Sequence, residues 1–131
     1  MSERDLNNTV TPNPKLAVDY CGIKLKNPII AASGTFGNGL EYAGYLDLSN
    51  EVGAISVKGL TPKGRHGNPG TRIAETPSGV LNCIGLENPG AEHFVTHILP
   101  DLKKYDVPLL ANMSAGTIDE FAWMAETLSV D

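Results

Sequence analysis

The sequence is short of cysteine, has no long apolar run and shows no excess of basic residues. Each shortage narrows what the chain can be. Its two cysteines, Cys21 and Cys83, lie far apart in a chain whose start, Met1-Ser2-Glu3-Arg4-Asp5, lacks the basic and apolar parts of a secretion signal. A disulfide is therefore not expected, and two thiols alone complete neither a zinc nor an iron–sulfur site. His93 and His97 are four positions apart but have no third ligand nearby, so no metal centre is expected. No segment approaches the roughly 18 apolar residues of a membrane span, and a cytoplasmic location is the expectation. Ten Lys and Arg against 15 Asp and Glu give a net charge of −5. The basic residues are scattered, which argues against nucleic acid as a partner.

What remains has the composition of a globular protein. Of the 131 residues, 41% are hydrophobic and 19% charged, enough apolar material for one ordinary domain. Residues 1–15 are polar with Pro12 and Pro14 near the end, which predicts a flexible tail before a folded stretch 16–131. Leu16–Asp19 and Ile23–Leu25, parted by Tyr20-Cys21-Gly22, predict a hairpin. Three apolar runs without alternation follow: Ile29–Ala32, Gly53–Lys58 and Val107–Asn112. Such runs suit parallel strands covered on both faces.

Between them the patterning predicts helices over Leu40–Leu48 and Ala91–Tyr105, the second kinked at Pro100. The Pro- and Gly-rich stretch Thr61–Gly70 predicts a loop, and Arg72–Glu75 with Gly79–Asn82 predicts two short strands around Thr76-Pro77-Ser78. Thr117-Ile118-Asp119-Glu120 spells a capping box opening an amphipathic helix to about Leu128. Alternating strands and helices are compatible with an open doubly wound sheet or an eight-stranded barrel, and both place ligands at the carboxyl ends of strands.

Candidate chemistry collects at those ends. Ser33-Gly34 follows the first run, Lys58-Gly59 ends the second, and Asn112 ends the third. A lysine leaving an apolar run puts a cation at the mouth of a site, or merely reaches for solvent from a strand end. The segment Asn82-Cys83-Ile84-Gly85-Leu86-Glu87-Asn88-Pro89-Gly90 adds a loop with an amide that can donate and accept, and a glycine that lets a ligand approach the backbone. Cys83 reads either as a reactive thiol or as a small half-buried filler. The run Gly34-Thr35-Phe36-Gly37-Asn38-Gly39 has its glycines at the wrong places for a dinucleotide fingerprint.

Taken in order, the Ser33, Lys58 and Asn82–Gly90 segments resemble the dihydroorotate dehydrogenase family, in its NAD-linked two-subunit class, over residues 16–131. The resemblance implies a (β/α)8 TIM barrel, of which this chain would supply an N-terminal hairpin and about the first three βα units. It implies oxidation of dihydroorotate to orotate in pyrimidine biosynthesis, with another pyrimidine-reducing flavin barrel as the alternative. It assigns Ser33, Gly34, Lys58, Gly59 and Asn112 to FMN. To the substrate it assigns Lys58, Asn82, Cys83, Ile84, Gly85 and Leu86. The partner it implies is an electron-transfer subunit with FAD and an iron–sulfur cluster, joined to a homodimer of catalytic subunits in a heterotetramer. The fumarate-linked class would need no such subunit. The family's base is a cysteine after the fourth barrel strand, expected beyond Asp131, so no catalytic residue is assigned here. The 131 residues alone are accordingly expected to be an inactive fragment that holds FMN weakly.

Overall fold

A computed structural model describes residues 11–130, and these divide into two compact units. The first runs up to Lys58 and takes in His97–Asn112. The second comprises Gly59–Thr96 and the stretch from Met113 onward. In chain order, a 3-10 turn at Pro14–Leu16 precedes β1 (Val18–Tyr20), β2 (Ile23–Leu25), β3 (Ile30–Ala31), α1 (Ser33–Phe36), a 3-10 turn at Leu40–Tyr42 and β4 (Ala54–Ser56). There follow β5 (Ile73–Thr76), β6 (Gly79–Asn82), α2 (Ala91–His93), a π-helical turn at Phe94–Ile98, α3 (Leu99–Leu102), β7 (Leu109–Leu110) and α4 (Ile118–Leu128). Among the described residues no helix is long and apolar enough to cross a membrane.

In the first unit, β3, β4 and β7 form a parallel sheet in the order β3-β4-β7. Central β4 is buried, while β3 and β7 are only half-buried, so two of the three runs expected to be covered on both faces are sheet edges among the described residues. Buried Leu48, Val52, Ile55, Val57, Leu99 and Leu102 make up much of this unit's core. Register is held by side chains as well as by the ladder. Asn27 is buried; its Oδ1 accepts from the Ile29 N–H (3.0 Å) and its Nδ2 donates to the Glu51 carbonyl (3.4 Å). Lys26 Nζ donates to the carbonyls of Ser49 (2.7 Å) and Asp106 (2.8 Å) and pairs with the Asp106 carboxylate. One cation thereby ties together the segments that lead into β3, β4 and β7. A Cβ at Gly53 would collide with the Asn27 carbonyl, so only glycine lets the two segments meet this closely.

Several expectations change. The stretch before β1 is a 3-10 turn, capped by Asn13 Oδ1 accepting from the Lys15 N–H, and the first strand begins at Val18. Residues 1–10 of the expected tail lie outside the described residues. The hairpin forms as expected, its turn residues Cys21 and Gly22 both left-handed at φ 53° and 91°. The helix expected over Leu40–Leu48 is only a 3-10 turn followed by further turns. Gly39 enters it left-handed at φ 93°, Gly44 lowers helix propensity, and Asp47 closes a local turn by accepting from the Ser49 N–H and the Asn50 amide. Ser33-Gly34, which follow the first apolar run, form the first half of the single turn α1.

The second unit contains the antiparallel pair β5–β6, every residue of which is exposed. The helix expected over Ala91–Tyr105 ends at Leu102 and changes pitch on the way. Pro100 has no N–H to give and its ring crowds the carbonyl one turn back, so the turn before it widens to π spacing and α3 restarts. At α4, Thr117 Oγ1 accepts from the Glu120 N–H (3.2 Å). The Glu120 carboxylate, however, reaches the Gly116 N–H (2.8 Å) and not that of Thr117, so half of the expected capping box forms. Of α4 only Met124 is buried; Ile118, Phe121 and Trp123 stay exposed, short of the covered amphipathic face expected.

Two outcomes check this account. Gly53→Ala should destabilise the chain by about 1–3 kcal/mol, as overpacking against fixed backbone does, and denaturant unfolding measures it. An unchanged midpoint would show that the close approach is not rigid. The Asp19 carboxyl is held below its ordinary value, first by its hydrogen bond to Lys24 and then by the Gly22 N–H. Its support of the hairpin is therefore present above the unfolded value of 3.8 and lost as pH falls through the lower folded value. Amide NMR titration of residues 18–25 should give a midpoint below 3.8, and a midpoint at or above it contradicts the contact.

Candidate functional site

The first unit gathers polar groups at the carboxyl ends of its three parallel strands. Ser33 follows β3 by two residues, and Asn112 follows β7 by two. Asn112 Nδ2 donates to Ser33 Oγ at 3.1 Å. Because β4 lies between β3 and β7, this bond links the two outer strands past the end of the central one. Lys58, two residues beyond β4, is half-buried. Its main-chain N–H donates to Asn38 Oδ1 (3.2 Å), while its ammonium meets no partner among the described residues. An ammonium drawn partly out of water without a counter-ion attracts an anionic or electron-rich ligand.

The turn after Ser33 is stiffened from inside. Phe36 and Tyr42 stack with ring centroids 4.4 Å apart, and the Tyr42 hydroxyl donates to the Thr35 carbonyl (3.1 Å). A Cβ at Gly39 would lie 3.1 Å from Ile55 Cδ1 and from Phe36 Cε1, so this glycine brings the turn against the central strand. Gly34 is different: a Cβ there would meet nothing within 4 Å, which leaves open space beside Ser33. Asn38 carries no assigned role in the sequence analysis, although an amide between two glycines is a turn-forming signal.

The second unit holds Gly59, which is buried, and the loop Asn82–Leu86. Asn82 closes β6 opposite Ile73. Cys83 is exposed, not the half-buried filler considered from sequence; its N–H donates to the Arg72 carbonyl (2.8 Å). Gly85 and Leu86 are both left-handed, at φ 80° and 55°. A leucine in that region is strained, and the backbone is held there by its surroundings. Asn88 is the anchor. Its buried Oδ1 accepts from the N–H groups of Thr61 (3.0 Å) and Gly90 (2.9 Å), while Nδ2 donates to Thr61 Oγ1 (2.9 Å) and to the Leu86 carbonyl (2.9 Å). Asn88 stood in the quoted segment without a role, since an amide in a turn does not reveal from sequence how many partners it will find.

Asn88→Ala would strip a buried cluster of both donor and acceptor. It should cost about 1–3 kcal/mol for each group left unpaired, read by thermal or chemical unfolding. Asn88→Asp keeps the acceptor and should lie between the native chain and the alanine variant. Equal stability of all three would remove Asn88 as the anchor.

The family model described as dihydroorotate dehydrogenase matches residues 15–130. The chain is 53% identical over 116 residues to the catalytic subunit of dihydroorotate dehydrogenase B (NAD(+)) from a Thermoanaerobacter species, covering 88% of this chain and 38% of that protein. The subunit of the same name from Brachyspira hyodysenteriae is 50% identical, with 86% and 36% covered, and that from Listeria monocytogenes is 53% identical, with 82% and 35% covered. This chain thus spans under two-fifths of the length of these relatives. Two crystal structures of dihydroorotate dehydrogenase from Eimeria tenella share its fold. One, in complex with ferulenol, has a TM-score of 0.61 at 20% identity over 89% of this chain and 34% of the other. The ligand-free one has a TM-score of 0.63 at 21% identity over 95% and 37%. Matched across almost its whole described length and half-identical to three bacterial relatives, this chain belongs to the dihydroorotate dehydrogenase family.

Proposed function

We propose that the protein to which this chain belongs is an FMN-dependent enzyme that oxidises dihydroorotate to orotate in pyrimidine biosynthesis. The observation that carries this reading is the half-buried Lys58 ammonium, without a partner among the described residues, at the end of the central parallel strand and in the same unit as the Ser33–Asn112 pair. The donor set fits a flavin ring. A hydroxyl, an amide and an ammonium suit its carbonyl and ring-nitrogen edge, and the open space at Gly34 leaves room for a flat group. FMN when bound supplies the hydride acceptor. Lys58 would stabilise negative charge on the reduced ring, and Asn112, oriented by Ser33, would present its amide oxygen. Gly34 and Gly59 would let the ring lie close to backbone.

For the substrate, following the family resemblance, we propose Lys58 of the first unit and, of the second, Asn82, Cys83, Ile84, Gly85 and Leu86. The Asn82 amide matches the mixed donor and acceptor edge of a pyrimidine, and left-handed Gly85 and Leu86 turn their peptide groups out of a regular strand pattern. We assign no catalytic base to this chain. Cys83 accepts a hydrogen bond from Asn68 Nδ2 through its sulfur, a contact that suits a positioned thiol and offers no proton acceptor to take its own proton. In the whole protein, residues 16–131 would form the N-terminal hairpin and first three βα units of a (β/α)8 barrel. The relatives' name, NAD(+)-linked catalytic subunit, supports a partner subunit; that this partner is an electron-transfer subunit with FAD and an iron–sulfur cluster, around a homodimer of catalytic subunits, is part of the proposal.

The test is a steady-state assay on the full-length protein, with orotate, uracil and thymine followed separately. Orotate should form from dihydroorotate, and Lys58→Met should lower kcat by about 10²–10³-fold, the usual cost of removing one preorganised electrostatic group. Reduction of uracil or thymine without any orotate formed would replace this reading with another pyrimidine-reducing flavoenzyme.

A further inference from the structure

Loop Cys83–Glu87 does not hold its left-handed bends through its own hydrogen bonds. A second strand of backbone, His66–Arg72, lies against it and grips it at closely spaced points. The Asn68 N–H donates to the Ile84 carbonyl (2.9 Å), and Asn68 Nδ2 donates both to the Cys83 carbonyl (3.1 Å) and to Cys83 Sγ (3.0 Å). The two segments pass so closely that a Cβ at Gly85 would lie 2.6 Å from Asn68 atoms, and one at Gly67 would collide with the Ile84 carbonyl. Asn68 is fixed in turn by Arg72. The guanidinium donates through Nε to the Asn68 carbonyl (2.6 Å), through Nη2 to the His66 carbonyl (2.8 Å), and pairs through Nη1 with the Glu87 carboxylate. One planar cation thus spans both segments, which a lysine, with its single nitrogen, does not reproduce.

We propose that Asn68 is a positioning residue for dihydroorotate. It fixes the peptide groups of Cys83–Leu86 in the conformation that receives the pyrimidine ring, and Arg72 fixes Asn68. The inference rests on the proposed function and adds to it a residue on the facing segment, outside the loop itself. Its physical basis is that β5–β6, the hairpin leading into the loop, is exposed at every position and supplies little packing to hold it. On that side the bonds from Asn68 fix Cys83 and Ile84, the two residues that lead into the left-handed Gly85 and Leu86. A ring-binding loop displaced by a fraction of an ångström loses substrate affinity before it loses chemistry.

The experiment uses the full-length, FMN-loaded enzyme and compares it with Asn68→Asp and Arg72→Lys. Asn68→Asp sets a carboxylate oxygen against the Cys83 carbonyl where a donor stood. KM for dihydroorotate should rise about 10–10²-fold with kcat changed far less, and the orotate concentration needed to perturb the flavin spectrum should rise in parallel. Arg72→Lys keeps a cation for Glu87 but loses the fork to Asn68 and His66, and should raise KM in the same direction by a smaller factor. FMN content should match the unaltered enzyme in both. Folded variants with KM within about twofold of the unaltered enzyme would overturn the proposal. If Asn68→Asp shows no cooperative unfolding transition, the KM of Arg72→Lys decides by the same criterion. A positioning failure leaves three enzymes forming orotate with one shared KM. Failure of the underlying function looks different: the unaltered enzyme itself forms none, and the proposal falls with it.

Discussion

The pairing of β4 with a parallel neighbour on each side is the constraint on which the first unit depends. Parallel strands cannot be joined by a tight turn, so each must be led in from a distance and held in register by something besides the ladder. Lys26 does part of this by bonding to Ser49 and Asp106, the segments that run towards β4 and β7, from a position just before β3. Asn27 and Gly53 do the rest, one by bridging to Glu51 and the other by having no side chain where the Asn27 carbonyl passes. Once register is set, the residues that follow the strands, Ser33, Lys58 and Asn112, leave the sheet at its carboxyl end. The polar cluster is a consequence of strand direction and register.

Asparagine recurs wherever regular structure stops. Asn27 precedes β3, Asn38 receives the Lys58 N–H, Asn112 holds Ser33, and in the second unit Asn68 and Asn88 fasten the loop after β6. Asn27 and Asn88 show the reason most fully, each accepting from a main-chain N–H and donating to a main-chain carbonyl. A strand or loop end exposes both N–H and C=O groups, and one amide side chain can satisfy one of each. Aspartate would lack the donor and serine the reach. Local order at the candidate site therefore comes more from amide hubs than from packing, which fits the exposure of β5, β6 and most of α4.

The three parallel strands, both hairpins, the start and end of α4 and the break near Pro100 were legible from sequence, because each follows from a local cause: an apolar run, a turn pair, a capping threonine, a missing N–H. The helix expected over Leu40–Leu48 was not, since its apolar spacing gave no weight to Gly39, Gly44 and the Asp47 turn that together outcompete one helical ladder. The candidate residues were legible as strand-end positions and as a motif. Their supports, Asn38, Asn68 and Arg72, were not, because each acts on a partner 15 or more positions away, or on one that is near in sequence yet reached only once the chain has turned back.

The sequence by itself determined the alternation of strands and helices, the family to which the chain belongs, and which residues stand at the carboxyl ends of the parallel strands. Those depend on side-chain type at fixed spacing, and spacing is readable along a line. Tertiary structure alone decided that the Asn112 amide meets the Ser33 hydroxyl, that the Lys58 ammonium is left without a partner among the described residues, and that Asn68 bonds to Cys83 and Ile84 just before the left-handed Gly85 and Leu86. Each of these turns on whether one particular group lies within about 3 Å of another. Only the register of strands and the close passage of two backbones settle a distance of that size.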